Sequence, residues 1–162
     1  MDAAFLEDFR RTLDRAAERL LVFADADAGR SPAPGKWSKK EIVGHLIDSA
    51  ANNHGRFVRA RLQEELVFPG YDQEAWVRLQ RYRDRSWNDL VQLWRAYNYH
   101  IVVVMESADP HAVTRPRAMH NLHELAWRPV PPTEATTLEY FMRDYVAHLK
   151  HHLRQALPDG FG

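Results

Sequence analysis

The two residues whose spacing most directly indicates chemistry are His148 and His152. They lie in a segment, 137–155, whose apolar residues recur at steps of three and four, which predicts an amphipathic helix. Residues four apart on a helix point the same way, so both rings continue an inward row that contains Phe141 and Tyr145. Two neutral imidazoles one helical turn apart are half of a common metal site, because each offers a lone pair at a fixed separation.

A third histidine strengthens the metal interpretation. His45 lies on a second predicted helix, where it occupies the inward face with Ile42 and Leu46. The opposite, charged face of that helix is predicted to carry Lys39, Lys40, Arg56 and Arg59. Burying three unpaired imidazoles together would be costly, whereas a shared cation gives all three a partner. The simpler alternative stays open, because the chain has nine histidines and each could be a hydrogen-bonded core residue.

Other histidines fit known metal patterns less well. His100 lies near the inner face of a third predicted helix and is the main rival for a ligand position. The run from His120 to Glu124 resembles a zinc protease motif, but that motif requires H-E-x-x-H, and Trp127 stands where its second histidine would be. A ferritin-like di-iron site is also excluded, since no glutamate has a histidine three residues after it.

Composition narrows the class of protein. The 22 basic and 22 acidic residues balance, and the pI is about 7.1, so there is no electrostatic footprint for nucleic acid or an anionic membrane. The absence of cysteine excludes disulfides, thiolate metal sites and a cysteine nucleophile. The acidic start and the lack of a long apolar run favour a cytoplasmic protein.

The first half of the chain predicts two long helices. The apolar period runs without interruption over 2–28, and a connection rich in proline and glycine follows over 29–38. Ser38 and Glu41 form a capping-box pattern that opens the second helix, which is predicted to continue to about residue 67.

The second half predicts a shorter helix and two further long ones. Asp72 can cap a short helix over 73–83, and Ser86 caps a long one whose inward residues include Leu93. The proline-rich segment 109–136 shows no sustained period and is predicted to be a long loop. A second capping-box pattern, Thr136 to Glu139, opens the final helix, and Pro158 and Gly160 end it. Four long amphipathic segments imply an all-α bundle.

Three separated motifs resemble those of the DinB superfamily, and within it the YfiT-like metal-dependent hydrolases. The motifs occur in the family's order, and the resemblance covers about residues 8–156. They are Gly35-Lys-Trp-Ser-Lys-Lys-Glu-Ile-Val-Gly-His-Leu-Ile-Asp-Ser49, Gly70-Tyr-Asp-Gln-Glu-Ala-Trp76 and His148-Leu-Lys-His-His152.

The resemblance implies a four-helix bundle, here a single domain over 1–162 with a short extra helix between the second and third long helices, and often a homodimer. It also implies a divalent metal held by His45, His148 and His152. His151 matches the motif but points about 100° away on the helix, so it is left out of the ligand set. Zinc or nickel is the expected metal, although copper or ferrous iron would also suit three imidazoles.

Two functional hypotheses follow from the resemblance. In the first, the protein is an enzyme, a hydrolase or a thiol S-transferase, whose metal activates water or a low-molecular-weight thiol for a small-molecule substrate. Asp48 would orient a ligand or act as general base, and Tyr145 would donate a proton. Some family members are maleylpyruvate isomerase-like. The sequence departs from the family pattern over 109–136, so the resemblance does not identify the substrate.

In the second hypothesis the bundle is a non-catalytic protein that keeps its metal as a structural element or binds a small ligand. An aromatic cleft near Trp94, Tyr97 and Tyr99 would be the ligand site. The fourth metal position distinguishes the two hypotheses, because a protein ligand there, such as His100 or His123, would close the site.

Overall fold

The computed structural model describes residues 1–157, which fold into four long helices joined by short helical segments and turns. The long helices are α1 (Ala3–Leu20), α3 (Lys39–Arg59), α5 (Trp87–Glu106) and α8 (Leu138–Ala156). The short segments are α2 (Asp25–Ala28), α4 (Gln73–Gln80), a 3₁₀ turn (Tyr82–Asp84), α6 (Pro110–Thr114) and α7 (Leu122–Leu125). The expected all-α bundle is therefore confirmed.

The four long helices pack in the order α1, α5, α3, α8 and back to α1, with the most extensive contact between α3 and α5. Their inward faces form the core, in which the largest fully buried side chains include Phe9, Phe57, Trp94 and Phe141. In this order α3 and α8 are neighbours although 78 residues, 60–137, lie between them in the sequence, so side chains from the two helices meet inside the bundle.

The first long helix ends earlier than predicted, at Leu20 instead of about residue 28. Its last carbonyl accepts a hydrogen bond from the indole of Trp87 (2.9 Å), and the Asp25 carboxylate accepts from the backbone N–H of Trp87 and from Lys40 (both 2.8 Å). These contacts to the start of α5 turn the chain out of the helix before the short α2 begins.

The second long helix begins as predicted, with the reciprocal capping box of Ser38 and Glu41, but it ends at Arg59 instead of about residue 67. The side chain of Arg117 donates to the carbonyl of Ala60 (2.7 Å), which satisfies the helix end. Leu66 is then held in an isolated bridge with His120.

The segment 109–136 is more ordered than the predicted loop, since it contains α6, α7 and a bridge between Arg117 and Thr136. Because both backbone groups of Thr136 are used by Arg117, the cap of α8 is Thr137, which accepts from the N–H of Tyr140 (3.0 Å). The predicted capping box of Thr136 and Glu139 is therefore wrong by one residue. Pro158 and Gly160, the predicted end signals, lie outside the described residues.

Within residues 1–157, no helix is both long enough and apolar enough to cross a membrane.

Candidate metal centre

Three histidines from two helices meet at one point inside the bundle. His45 on α3 is completely buried, while His148 and His152 on α8 are partly buried. One ring nitrogen from each lies within 4.8 Å of those from the other two, and the Nε2 atoms of His45 and His148 are 3.3 Å apart. The structure thus brings together the three residues that the resemblance implied as ligands.

Tryptophan rings enclose the three histidines on two sides. Trp37, just before α3, lies 5.1 Å from the His45 ring, and Trp127 lies 5.8 Å from the His148 ring, measured between ring centroids. His151 lies outside the group of converging nitrogens and packs against Trp127 at 4.4 Å. The two indole rings therefore pack against the cluster from different parts of the chain.

The environment of the cluster keeps its imidazoles neutral. Burial, followed by the neighbouring His152, lowers the pKa of His45 to about 3. Burial and the three surrounding histidines lower the pKa of His148 to about 3, and burial also lowers the pKa of His152. Neutral imidazoles have a free lone pair, so at neutral pH this donor set fits a divalent cation.

Hydrogen bonds at the outer nitrogens influence which lone pair each ring presents. The Nδ1 atom of His152 pairs with the Oε1 atom of Gln155 (2.9 Å), which accepts its proton and leaves Nε2 free. By contrast, the Nδ1 atom of His45 is buried and has no hydrogen-bond partner in the part of the chain that the structure describes. An orphaned nitrogen on a ring whose other nitrogen points into the cluster is consistent with a ligand role and inconsistent with a fully satisfied core histidine.

Asp48, predicted to be an orienting or basic group, lies one turn after His45 and is also buried. Its Oδ1 atom accepts from Tyr82 (2.7 Å) and Gln80 (2.5 Å), while its Oδ2 atom has no partner. Burial raises the pKa of this carboxyl group, although the two hydrogen bonds oppose the effect. Its two bonded neighbours therefore fix Asp48 in place and leave one oxygen unused.

Tyr145, predicted to be a proton donor, lies one turn before His148 and is buried in the core. Its hydroxyl donates to the Oδ1 atom of Asn98 on α5 (2.6 Å), and burial raises the pKa of the phenol well above its usual value. The ring also lines the cavity beside the histidines. The hydroxyl proton is thus already engaged inside the bundle.

A cavity of about 360 Å³ opens directly beside the cluster. One wall is a row on α3 that continues from His45 through Ser49 and Asn53 to Arg56, and another is formed by the segment 124–127 and Tyr71. The carboxylate of Asp144 accepts hydrogen bonds from the backbone N–H groups of Trp127 (2.7 Å) and Arg128 (2.9 Å). It thereby fixes the segment 124–127 over the histidines.

The two rival ligands are not part of the cluster. His100 is exposed and packs against His54 at 4.8 Å, and His123 is exposed and pairs with Glu124. Within residues 1–157 no other histidine, aspartate or glutamate joins the three converging nitrogens. The predicted aromatic cleft is not formed as expected, since Trp94 is completely buried and Tyr99 donates to Asp14 on α1.

Sequence reasoning missed four residues that shape the site: Trp37, Arg56, Trp127 and Asp144. Arg56 was assigned to the charged face, yet it is 5% exposed and continues the buried row one turn after Asn53. That spacing was visible in the sequence. Nothing in the sequence indicated that Asp144 and Trp127 contact each other, since that contact depends on how 109–136 folds.

The chain belongs to the DinB superfamily, whose model matches residues 6–156. In fold it is similar to YfiT from Bacillus subtilis, described as a probable metal-dependent hydrolase with an unusual four-helix bundle topology. That match has a TM-score of 0.74 and 19% identity over 98% of this chain and 87% of the other. A mycothiol-dependent maleylpyruvate isomerase shares the fold with a TM-score of 0.66 and 11% identity over 94% and 60% of the two chains.

One curated relative matches part of the sequence. It is the protein of Oceanobacillus iheyensis named "Putative metal-dependent hydrolase OB0413", which is 26% identical over 73 residues. That alignment covers 45% of this chain and 42% of the relative.

Proposed function

We propose that this protein is a metal-dependent enzyme whose divalent cation is held by His45, His148 and His152. The observation that carries the proposal is the convergence of three neutral imidazole nitrogens beside a cavity of about 360 Å³. The relatives described as metal-dependent hydrolases support it. Zinc or nickel is the proposed metal, since nitrogen donors suit both.

The proposed chemistry is activation of water or of an exogenous thiol toward a small-molecule substrate. A divalent cation at this site would favour deprotonation of a coordinated water or thiol at neutral pH. The chain has no cysteine, so the thiol would come from solution. Hydrolysis is supported by the YfiT likeness, and thiol transfer by the likeness to a mycothiol-dependent isomerase.

Each side chain around the cation has a distinct task. The three histidines bind it, and Trp37 and Trp127 exclude water from the flanks of the cluster. Asp48 is proposed to accept the Nδ1 proton of His45, since both atoms are buried without partners one turn apart on α3. Tyr145 is proposed to donate a proton to the substrate, which requires its hydroxyl to leave Asn98 when the cavity is filled.

The non-catalytic alternative is less well supported by the surroundings of the cluster. A structural metal would have a fourth protein ligand, but His100 and His123 lie elsewhere and no other candidate among residues 1–157 joins the three histidines. A cation bound by these three histidines would face the cavity, which favours turnover.

Elemental analysis of protein purified without a histidine tag tests the proposal. Wild-type protein is expected to contain about one equivalent of zinc or nickel, and His45→Ala and His148→Ala are expected to lose it because two imidazoles hold a divalent cation weakly. The matched control is His151→Ala, which removes a neighbouring imidazole outside the cluster and should retain the metal.

Full metal content in His148→Ala would show that the cation is bound elsewhere. No metal in the wild type, even after zinc or nickel is added, would mean that the histidines are core residues. In either case the proposed function would be abandoned.

A further inference from the structure

Within residues 1–157, Arg56 is a buried cation with no anionic partner. Its guanidinium donates to the carbonyl of Pro69 (2.8 Å) and to the side-chain oxygen of Asn53 (3.4 Å), and both acceptors are neutral. No carboxylate among residues 1–157 forms an ion pair with it. A buried charge is costly unless it is paired, so this position needs a further explanation.

Arg56 belongs to the wall of the cavity that the three histidines also line. His45, Ser49, Asn53 and Arg56 follow one another along α3 at steps of four, four and three, so they share one face of the helix. Side chains on a helix tilt toward its N-terminus, which here is toward His45. Arg56 is therefore at the far end of the cavity and reaches toward the cluster.

Among the described residues, none of the other titratable groups that line the cavity forms an ion pair with Arg56. Burial raises the pKa of Tyr71 to about 12, so its phenol is neutral. Asp144 is occupied by the N–H groups of Trp127 and Arg128. Glu124 is largely exposed at the mouth of the cavity and pairs with His123 (3.5 Å).

We propose that Arg56 binds a carboxylate of the substrate, whose reacting group lies at the histidines. One guanidinium balances one negative charge and matches the planar geometry of a carboxylate, which favours a monocarboxylate over a doubly charged phosphate ester. The Cα atoms of His45 and Arg56 are about 16 Å apart along the helix axis, so the substrate is elongated, with several bonds between its carboxylate and the reacting centre. This inference rests on the proposed function.

The test uses ω-mercaptocarboxylates with chains of three to six carbons, together with their uncharged amides. Each pair is titrated into zinc-loaded wild-type protein by calorimetry, with the metal content measured in the same samples. The thiol binds at the metal in both members of a pair, so the ratio of the two affinities reports the carboxylate. We expect the acid to bind about tenfold or more tightly than the amide at the chain length that spans the cavity.

Arg56→Gln is expected to bind both members of a pair equally, while the control Arg59→Gln retains the preference. Arg59 is exposed on the same helix and does not line the cavity, so its replacement removes an equal charge from outside the cavity. Circular dichroism and metal content identify a variant whose fold has changed. If Arg56→Gln does not fold, the comparison of acid with amide in the wild type still tests whether the cavity prefers a carboxylate.

Equal affinity for acid and amide in metal-loaded wild type would overturn the role of Arg56 and leave the proposed function standing. The role of Arg56 would also be overturned if Arg56→Gln still bound the acid more tightly than the amide. Arg56 would then have a structural role, in which it holds the carbonyl of Pro69. If the wild type binds no metal, the proposed function fails, and the same pairs are titrated into metal-free protein. There an Arg56-dependent preference supports the carboxylate site, and its absence overturns it.

Discussion

The proposed contact of Asp48 with His45 gives the first prediction at the scale of single residues. Asp48→Asn is expected to weaken metal affinity about 10- to 100-fold, because the Nδ1 proton of His45 loses a charged acceptor. Competition with a chromophoric chelator measures this affinity. Asp14→Asn, which removes an acceptor of Arg95 and Tyr99 far from the cluster, should leave it unchanged. Equal affinities in wild type and Asp48→Asn would exclude the proposed contact.

The low histidine pKa values give a second prediction, which concerns metal-free protein. Burial holds the pKa of His45 and His148 at about 3, whereas an unfolded histidine titrates near ~6.5. Between these two pKa values the unfolded chain binds more protons than the folded chain. The free energy of unfolding is therefore highest above the unfolded pKa and falls as the pH is lowered toward the folded pKa. The expected slope is at most about 1.4 kcal/mol per pH unit for each histidine.

Urea unfolding in a chelating buffer between about pH 7 and pH 5 measures this slope. His148→Leu should give a shallower dependence than wild type, whereas His111→Leu, at an exposed position on α6, should not. An unchanged slope in His148→Leu would mean that this ring protonates in the folded protein.

The three clustered histidines illustrate what the sequence can predict about a site. The spacing of His148 and His152 and the inward position of His45 are local patterns, and the structure places all three together. The surrounding wall differs, because the backbone of Trp127 is held beside the cluster by its hydrogen bond to Asp144, which is distant from it in the sequence. Such a contact depends on tertiary structure and has no local signature.

At the scale of elements, α3 carries two glycines with opposite environments. A Cβ atom at Gly44 would collide with the ring of Tyr82, which is buried and fixed by its bond to Asp48. At Gly55 nothing lies within 4 Å of that position. Gly44→Ala is expected to lose about 1–3 kcal/mol of unfolding free energy through overpacking, and Gly55→Ala to gain up to about 1 kcal/mol from helix propensity. Urea unfolding of the two variants measures the difference. Equal stabilities of Gly44→Ala and Gly55→Ala would contradict the prediction.

The segment over the cluster gives a second prediction at this scale. Asp144→Ala removes the acceptor of the Trp127 and Arg128 amides, so their hydrogen exchange should accelerate about tenfold or more. The amide of Ala126, which donates to the carbonyl of Leu122, is an internal control and should change little. Unchanged protection at Trp127 and Arg128 would show that packing alone holds this segment.

The helix ends explain why the predicted boundaries were only partly correct. The starts of α3, α4 and α5 are set by local caps, Ser38, Asp72 and Ser86, and each is confirmed. The ends of α1 and α3 depend instead on Trp87 and Arg117, which lie more than fifty residues away. Periodicity continues past those ends and cannot reveal a cap supplied by another part of the fold.

At the scale of the whole molecule, the order of helices around the bundle could not be read from the sequence. Periodicity predicts which face of each helix is buried, but not that α3 lies between α5 and α8. The position of Leu93 is a second example of what periodicity alone does not predict. It was predicted to face inward but is exposed, because it begins an outer row on α5 with Ala96, His100 and Val103.

This outer row gives the last prediction. The resemblance implies a homodimer, and we propose that the apolar face of α5 forms the dimer interface. Light scattering is expected to give twice the chain mass of 18.9 kDa. Val103→Glu should produce a monomer by placing a charge in the interface, whereas Leu79→Glu, at an exposed apolar position on α4, should remain dimeric. A wild-type mass of a single chain at micromolar concentrations would contradict the proposal.

The placement of the three histidines also has a consequence for the chain as a polymer. His45 and His148 are 103 positions apart, so a cation bound by both would close a large loop, as a disulfide would in a chain that contained cysteine. Unlike a disulfide, this cross-link would be removable, and it would form only when α3 and α8 are side by side. The stability of the fold would then follow the supply of free metal, with a gain of about 2.7 kcal/mol at a concentration one hundred times the dissociation constant.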